Sequence, residues 1–400
     1  MSTEYETALG RKIASHRKRR GLSQKEFAGL LDRSEAWVSQ VERGVRRVDR
    51  MTVLEKVAEV LDVPVAELAA EAPVVASAAA GESPGARQLR LVLSTAHSLQ
   101  ATTLAEPRPP DIQALQADVE HAWELTHRGD YADLAELLEA LIPRLEWATR
   151  AGSVEERPGL FRLLATMYHG CGAALASVGE PEAAWIAVDR AVVAAERAGD
   201  PLLMAAGEFR LCIVFLGARH YEQAARASGS AADALAPLTE DGEPEAVAVR
   251  GALTLQRALA AGRLNRADDA YAYLRQAKQF AERIGDGRND HHTEFGPTNV
   301  ALHEVAVAVD LGDAGVALRA AENVDASDLS PERQAHFHLD LARAHAQRRQ
   351  LERAVDSLVR ARELLPEAFR AKPAVRQLVS DLLAMSPRPS DQLRELARGL

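Results

Sequence analysis

Aromatic residues and cysteines are both scarce in this chain of 400 residues. Four Trp, six Tyr and eight Phe make up 4% of it, and the cysteines are two, Cys171 and Cys212. Two thiols build neither a disulfide framework nor a four-thiolate zinc site, which points to a reducing compartment. Long apolar runs are missing as well. The longest uncharged, strongly apolar run covers about eight residues, 211–218, against the ~20 needed to cross a bilayer. The opening MSTEYETALGRK has no apolar h-region of the kind that directs export. A cytoplasmic chain without a membrane partner is expected. No Gly-rich phosphate loop and no G-x-S-x-G elbow occurs, and carboxylate pairs such as Glu196 and Asp200 read as solvated helix faces and end caps. Enzymatic activity, cofactors and bound metal are therefore not expected.

What the sequence has in excess is alanine, 76 of 400 residues. Alanine is the best helix former and a poor strand former, so the expected fold class is all-α. Apolar content of 47% and charged content of 26% are ordinary for a globular chain, and the length suits two or three domains or a repeat array. The net charge of −10 hides a gradient. Residues 1–50 carry twelve Lys/Arg against seven Asp/Glu, a net +5, which leaves −15 for residues 51–400. A small basic head on a large acidic body suits a protein that touches a polyanion with one end only. An ordinary solvated basic face is the alternative.

Residues 7–68 form a compact run of short helical patterns. The following 69–88, rich in Ala, Pro, Gly and Ser, read as a linker. Helical periodicity resumes over 87–104, with Leu89, Val92, Ala96 and Leu99 on one stripe, until EPRPP at 106–110 stops it. That stripe is either a dimerisation helix or packing against the chain's own first repeat. From Asp111 onward the chain is nearly all amphipathic helix, broken at Gly129, Gly179, Ala218, Gly262, Gly312 and Arg349, at spacings of 50, 39, 44, 50 and 37 residues. Each break follows a helix of about 15 to 20 residues and precedes one with closely spaced small residues, such as Ala183, Ala184, Ala187 and Ala191, or Ala224, Ala225, Ala231 and Ala232. A helical hairpin cannot bury its apolar face alone, so six stacked hairpins give a continuous solenoid core. The period is looser than a strict tetratricopeptide repeat. The expected organisation is a compact helical head at 1–70, a linker with a candidate dimerisation helix at 71–110, and a tetratricopeptide-like repeat domain at 111–400.

The densest local signal runs from Arg17 to Glu67. Ser23 and Glu26 form an S-x-x-E capping box, Ser34 caps a second short helix over 35–42, and Gly44 ends it. Two short helices joined by a tight turn, the second carrying polar residues, suit a major groove about 12 Å wide. The strings GLSQKEFA at 21–28 and SEAWVSQVERG at 34–44 resemble the lambda-repressor-like (XRE-family) helix-turn-helix domains, and 52–68 resemble that family's last two helices. The resemblance covers about 60 of the 400 residues. It implies a five-helix head that binds double-stranded DNA as a homodimer. It also implies that Gln24 meets a phosphate, that Glu35, Ala36, Ser39 and Gln40 line the groove-facing surface, and that Arg17 and Glu42 form a buried ion pair. Arg43, Arg46, Arg47 and Arg50 then lie beside the DNA backbone.

Chemically, Glu35 can accept from a cytosine amino group, Gln40 can bond adenine in bidentate fashion and Ala36 can touch a thymine methyl. The arginines position without specifying. Simple solvent exposure is the plain alternative for Glu35 and Gln40, and a surface ion pair for Arg17 and Glu42. The turn departs from the family pattern, with Asp32 where glycine is usual and Arg33 in place of a small apolar residue. Asp tolerates the left-handed conformation, and Arg33 and Ser34 add candidate DNA contacts. Trp37, in mid-helix, reads as packing or backbone stacking.

Such a head joined to a tetratricopeptide-like body resembles cytosolic transcriptional regulators of Gram-positive bacteria, and the Ala/Arg-rich composition fits an actinobacterial type. The resemblance implies an array that senses a peptide, small ligand or protein partner on its concave face. Candidate contacts on the first helix of each pair are Tyr168, His169, Glu208, Arg210, Gln256, Asn299, His303 and His338, each with an ordinary surface or core role as the alternative. Asn299 and His303 share a face one turn apart. The loop NDHHTEFGP at 289–297 concentrates polar groups, but His291 and His292 are adjacent and lack the i, i+4 spacing of helical zinc sites. It reads as a solvated turn or a ligand-facing loop. A protein–protein adaptor tethered to DNA by its head is the rival function.

Overall fold

The computed structural model describes residues 2–46, 48, 51–63, 65–68, 84–94, 110–240, 242–386 and 388–400, and among these every regular element is a helix. The head comprises α1 (Ser2–Arg19), α2 (Gln24–Leu30), α3 (Glu35–Glu42), α4 (Met51–Leu61) and α5 (Val65–Leu68). Ile13, Phe27, Val38, Val41 and Val57 make its core, and Met385, from the far end of the chain, packs among them. Helix α6 (Pro84–Ser94) follows.

Six helical hairpins come next. They pair α7 (Ile112–Arg128) with α8 (Tyr131–Ala151), α9 (Arg157–Ser177) with α10 (Pro181–Ala198), and α11 (Pro201–Gly217) with α12 (Tyr221–Ala234). A short α13 (Ala236–Glu240) intervenes. Then α14 (Pro244–Arg263) pairs with α15 (Ala267–Ile284), α16 (Pro297–Leu311) with α17 (Ala314–Ala321), and α18 (Pro331–Gln347) with α19 (Leu351–Leu364). Helices α20 (Pro366–Ala371), α21 (Pro373–Met385) and α22 (Asp391–Arg398) close the array. The architecture is a tetratricopeptide-like helical superhelix behind a small helical head.

Local chemistry explains the segmentation. Proline opens α10, α11, α14, α16, α18, α20 and α21, where its missing N–H has no partner to lose and its fixed φ suits a first turn. Asp111, Asp200 and Ser330 cap α7, α11 and α18 through their side-chain oxygens. The breaks expected from the sequence fall at the six turns inside the hairpins. Each turn has one residue at positive φ: Gly129, Gly179, Arg219, Asn265, Gly312 and Arg349. The fourth turn is thus made at Asn265, while Gly262 still belongs to the last turn of α14. Alanine packs the seams between helices. Ala184, Ala187, Ala191 and Ala195 of α10 are fully buried, as is Ala224 of α12, whereas Ala225 is half-buried.

The coil is tight enough that the first pair meets the sixth. Helices α7 and α18 are in contact, the Ser177 hydroxyl donates to Glu332 (2.9 Å), and Leu365 and Ala368 join the core of the first hairpins. Several polar side chains of the first helices of the pairs are buried, among them His169, Arg210, Gln256, Asn299 and His303. Helix α6 lies on α8, α9 and α10, with Leu89 fully buried and Val92 6% exposed, so the described part of its stripe packs against the chain's own repeats. Ala96, Leu99 and the rest of 95–109 lie outside the described residues, as do 69–83.

The head is docked on the row of hairpin turns. Arg20 Nε donates to Asp381 Oδ2 (2.8 Å), and Arg19 donates to the carbonyls of Gly262 (3.0 Å) and Arg263 (3.2 Å), a cation at the C-terminus of α14. Arg219 pairs with Asp62 (2.9 Å), Ser15 lies 3.5 Å from Asn265 Oδ1, and Arg349 forks onto Glu26. These last three array residues are the ones that take positive φ at a turn without being glycine. That conformation costs roughly 1–2 kcal/mol in an L-residue, and here it is offset by a contact that glycine lacks. Gly21 makes the opposite choice, because a Cβ there would stand 2.7 Å from the Gln347 Cα.

Candidate functional site

Two surfaces concentrate chemistry, one on the head and one inside the coil. On the head, Ser23 Oγ accepts from the Glu26 amide (3.2 Å) while Glu26 accepts from the Ser23 amide (2.9 Å), the reciprocal box that starts α2. Asp32 takes φ 54° at the turn, and the next amide, Arg33, bonds back to the Ala28 carbonyl (2.8 Å). Ser34 then caps α3 through the Trp37 amide (3.2 Å). Gly44, at φ 71°, ends α3.

Arg17 and Glu42 fix α1 against α3. Two parallel bonds join them, Nε to Oε1 (2.5 Å) and Nη2 to Oε2 (2.9 Å), and the remaining Nη1 donates to the Leu22 carbonyl (2.6 Å). Both side chains are under a tenth exposed, so this is a buried, fork-matched pair whose separation would strand a charge. Gln24 Nε2 also donates to Glu42 (2.7 Å), which ties the start of α2 to the end of α3. Apart from Gln24, whose amide is engaged by Glu42, the residues expected to touch DNA stand clear of this clamp. Arg33, Ser34, Glu35, Ala36, Arg43 and Arg46 are exposed, and Ser39 and Gln40 are half-buried. Val38 and Val41, on the other side of α3, are buried. Arg33 lies over the Trp37 ring at 5.8 Å. Arg47 and Arg50 lie outside the described residues.

A helix-turn-helix domain model matches residues 8–70. The head is a helix-turn-helix domain. No curated protein sequence matches the chain significantly. Among solved structures, the crystal structure of Bacillus thuringiensis PlcR in complex with the peptide PapR7 and DNA is similar at 15% identity and a TM-score of 0.27, covering 69% of this chain and 95% of that one. A likeness that slight transfers nothing to this chain beyond its own geometry.

The second surface lies where the inner helices meet the 285–297 loop. Four of the eight inner-face candidates converge there: His169, Arg210, Asn299 and His303, each at most 6% exposed. The other four go elsewhere. Tyr168 donates to Glu146 (3.3 Å) and lies under Arg190, Glu208 is half-buried, Gln256 is buried within α14, and His338 lies beside Phe337 and near Arg360. The structure adds partners that the sequence did not single out. Trp123 of α7 stacks on His292 at 3.8 Å with planes 3° apart, and His127 lies 5.7 Å from the same imidazole. Arg210 stands over Trp123 at 4.9 Å and donates to the His292 carbonyl. Trp123 is one of only four tryptophans, a signal that its scarcity could have raised.

Burial governs the charge state of this region. It drives His169 and His303 down to about 3, aided at His169 by Arg210 and His291 and at His303 by Arg333, and His292 to about 2. His303 keeps a proton on Nδ1, which donates to the Asn299 carbonyl (2.8 Å). Burial likewise lowers Arg210 to about 10, with Glu332 opposing it. Among the described residues, no group of three or more His, Cys, Asp or Glu is arranged to hold a metal ion.

Proposed function

We propose that this protein is a sequence-specific DNA-binding transcriptional regulator whose repeat array senses a peptide, small ligand or protein partner. The observation that carries this reading is the exposed polar start of α3, held at a fixed angle by the buried Arg17–Glu42 clamp. A recognition helix must enter the major groove as a rigid body, and only its first turns reach base edges. Glu35, Ala36, Ser39 and Gln40 occupy those turns. Arg33, Arg43 and Arg46, with Arg47 and Arg50 following in sequence, are the phosphate contacts, and Gln24 and Ser34 complete the rim at the helix starts.

The seam of turns supplies the route from sensor to reader. Asp62, Glu26, Arg19 and Arg20 of the head are bonded to four different parts of the array, so a change in its coil re-aims the head. Two heads reading half-sites one DNA turn apart require a homodimer. Trp185, Ile186 and Val193 on α10, exposed by 43–50%, supply an apolar surface suited to it.

Genome-wide mapping of binding sites, followed by gel shifts, tests the reading. The expected result is a palindromic site whose affinity drops uniformly across sequences with Arg43→Ala. Gln40→Ala relaxes the choice of base at one position, by about 1–3 kcal/mol of discrimination. A protein indifferent to DNA sequence overturns it. A stoichiometric protein partner with no ligand-dependent change in DNA affinity favours the adaptor instead.

A further inference from the structure

The loop between α15 and α16 is held rigidly in a conformation its residues do not prefer. Phe295 anchors it in a slot over Gly251 of α14, where an added Cβ would overlap the ring. Asn299 Nδ2 donates to the carbonyls of Thr293 (3.3 Å) and Glu294 (2.9 Å), and Asp286 accepts from the Thr298 amide and hydroxyl (3.0 Å each). Between these anchors, His291, His292 and Glu294 all have positive φ, at 49°, 56° and 49°. The strained stretch delivers two groups to the inner face: an imidazole lying flat on Trp123, and a backbone carbonyl oxygen on Arg210.

That inner face is incompletely satisfied. Arg210 Nε, His169 Nε2, His292 Nδ1 and Asn299 Oδ1 are buried without a hydrogen-bond partner. Arg210 is 5% exposed, yet its guanidinium donates to carbonyls and to no carboxylate among the described residues. The two carboxylates that act on it from a distance are engaged elsewhere, Glu294 with Ser330 (2.8 Å) and Glu332 with Ser177 (2.9 Å). A buried guanidinium is most stable against a fork-shaped anion, and an indole face against a flat ring.

We propose that the inner face around Trp123 and Arg210 is the binding site for a planar aromatic carboxylate, and that the 285–297 loop occupies it as a built-in surrogate until such a ligand displaces it. The ligand's ring takes the place of the His292 imidazole on Trp123, and its carboxylate replaces the loop carbonyl on Arg210 and reaches the unpaired Nε. Relief of the strained backbone favours the exchange. This rests on reading the array as a ligand sensor.

The test is calorimetric titration of the full-length chain with indole-3-carboxylate and benzoate, against indole and cyclohexanecarboxylate as probes lacking the carboxylate and the flat ring. His292→Ala removes the competing ring and is expected to bind the aromatic acids about tenfold more tightly than the unaltered chain, since occlusion lowers apparent affinity. Adding Arg210→Gln is expected to lose that binding. His292→Gly keeps the left-handed backbone without strain and serves if the alanine variant does not fold. In the unaltered chain, the acids are expected to speed amide exchange across 285–297. The proposal is overturned if the His292 variants bind neither acid at millimolar concentration, if neutral indole binds as well, or if Arg210→Gln has no effect. A chain that selects a DNA site but ignores the acids fails this inference alone; one that binds the acids but shows no DNA sequence preference fails the regulatory reading alone.

Discussion

The recognition helix and the inner face of the coil treat polar side chains in opposite ways. On α3, Glu35 and Ala36, with Arg43 just beyond its end, face water, while the buried charge pair beneath them is fully bonded. Inside the coil, His169, Arg210 and Asn299 are withdrawn from water with polar atoms left unpaired. A partner such as DNA arrives with its own solvated charges, so solvated side chains suffice to meet it, and long-range attraction steers the encounter. A small occupant is selected by burial, because an unpaired buried group penalises every ligand that fails to satisfy it. The head is thus rigid beneath and open above, whereas the coil buries polar groups beneath a loop with three residues at positive φ.

The variant that breaks this contrast hardest is Arg17→Ala. It strands Glu42 in the head's interior and is expected to cost about 3–5 kcal/mol, read as early loss of amide-exchange protection in the head in urea while the array stays protected. A cost under about 1 kcal/mol would place the pair with ordinary surface bridges. Gly251→Ala comes next: crowding Phe295 is expected to cost about 1–3 kcal/mol and to raise amide exchange across 285–297, leaving the head's exchange unchanged.

Acidification sharpens the contrast further. His169 and His303 stay neutral in the fold down to about pH 3, but the unfolded chain takes up their protons near the ordinary histidine value of about 6.5. Their stabilising contribution is complete above that pH and declines below it, by up to about 1.4 kcal/mol per pH unit for each histidine. The head shares the effect through His16, also lowered to about 3 by burial and Arg19. Urea melts at pH 7.5 and 5.5 check this, and His303→Gln should flatten the slope; a slope that does not change removes the buried-neutral assignment. The smallest effect is expected at the seam. Arg349→Ala breaks a pair whose members are 38% and 31% exposed, so it should cost about 0.2–1 kcal/mol, with faster exchange in α2 as the more sensitive readout.

The head was legible because its signals are local. Ser23 with Glu26, Ser34 with the Trp37 amide, and Asp32 at the turn each act within a few residues, so spacing alone carries them. The six hairpin turns were legible for the same reason, to within a few residues. The inner face was not. Periodicity assigns a residue to a face of its own helix, and it put Tyr168 and His338 on the same footing as His169 and Arg210. Which of them meet depends on how tightly the six pairs coil. Trp123 and His292 are far apart in sequence, and no local pattern pairs them. The 87–104 stripe left dimerisation and self-packing open, and burial of Leu89 and Val92 on α8 to α10 answers for its described part.

By itself the sequence determined the helical class, the places where the chain turns, and the placing of excess positive charge at one end. These follow from propensity, caps and composition, all short-range or additive. Only the tertiary structure decided that the head docks along the hairpin turns and that the 285–297 loop fills the inner face. Both depend on contacts between residues far apart in the chain, whose loop-closure cost is met only once the whole coil has formed. Arg219, Asn265 and Arg349 record that dependence. A turn considered alone would favour glycine at their positive φ, and each is instead a side chain that reaches the head.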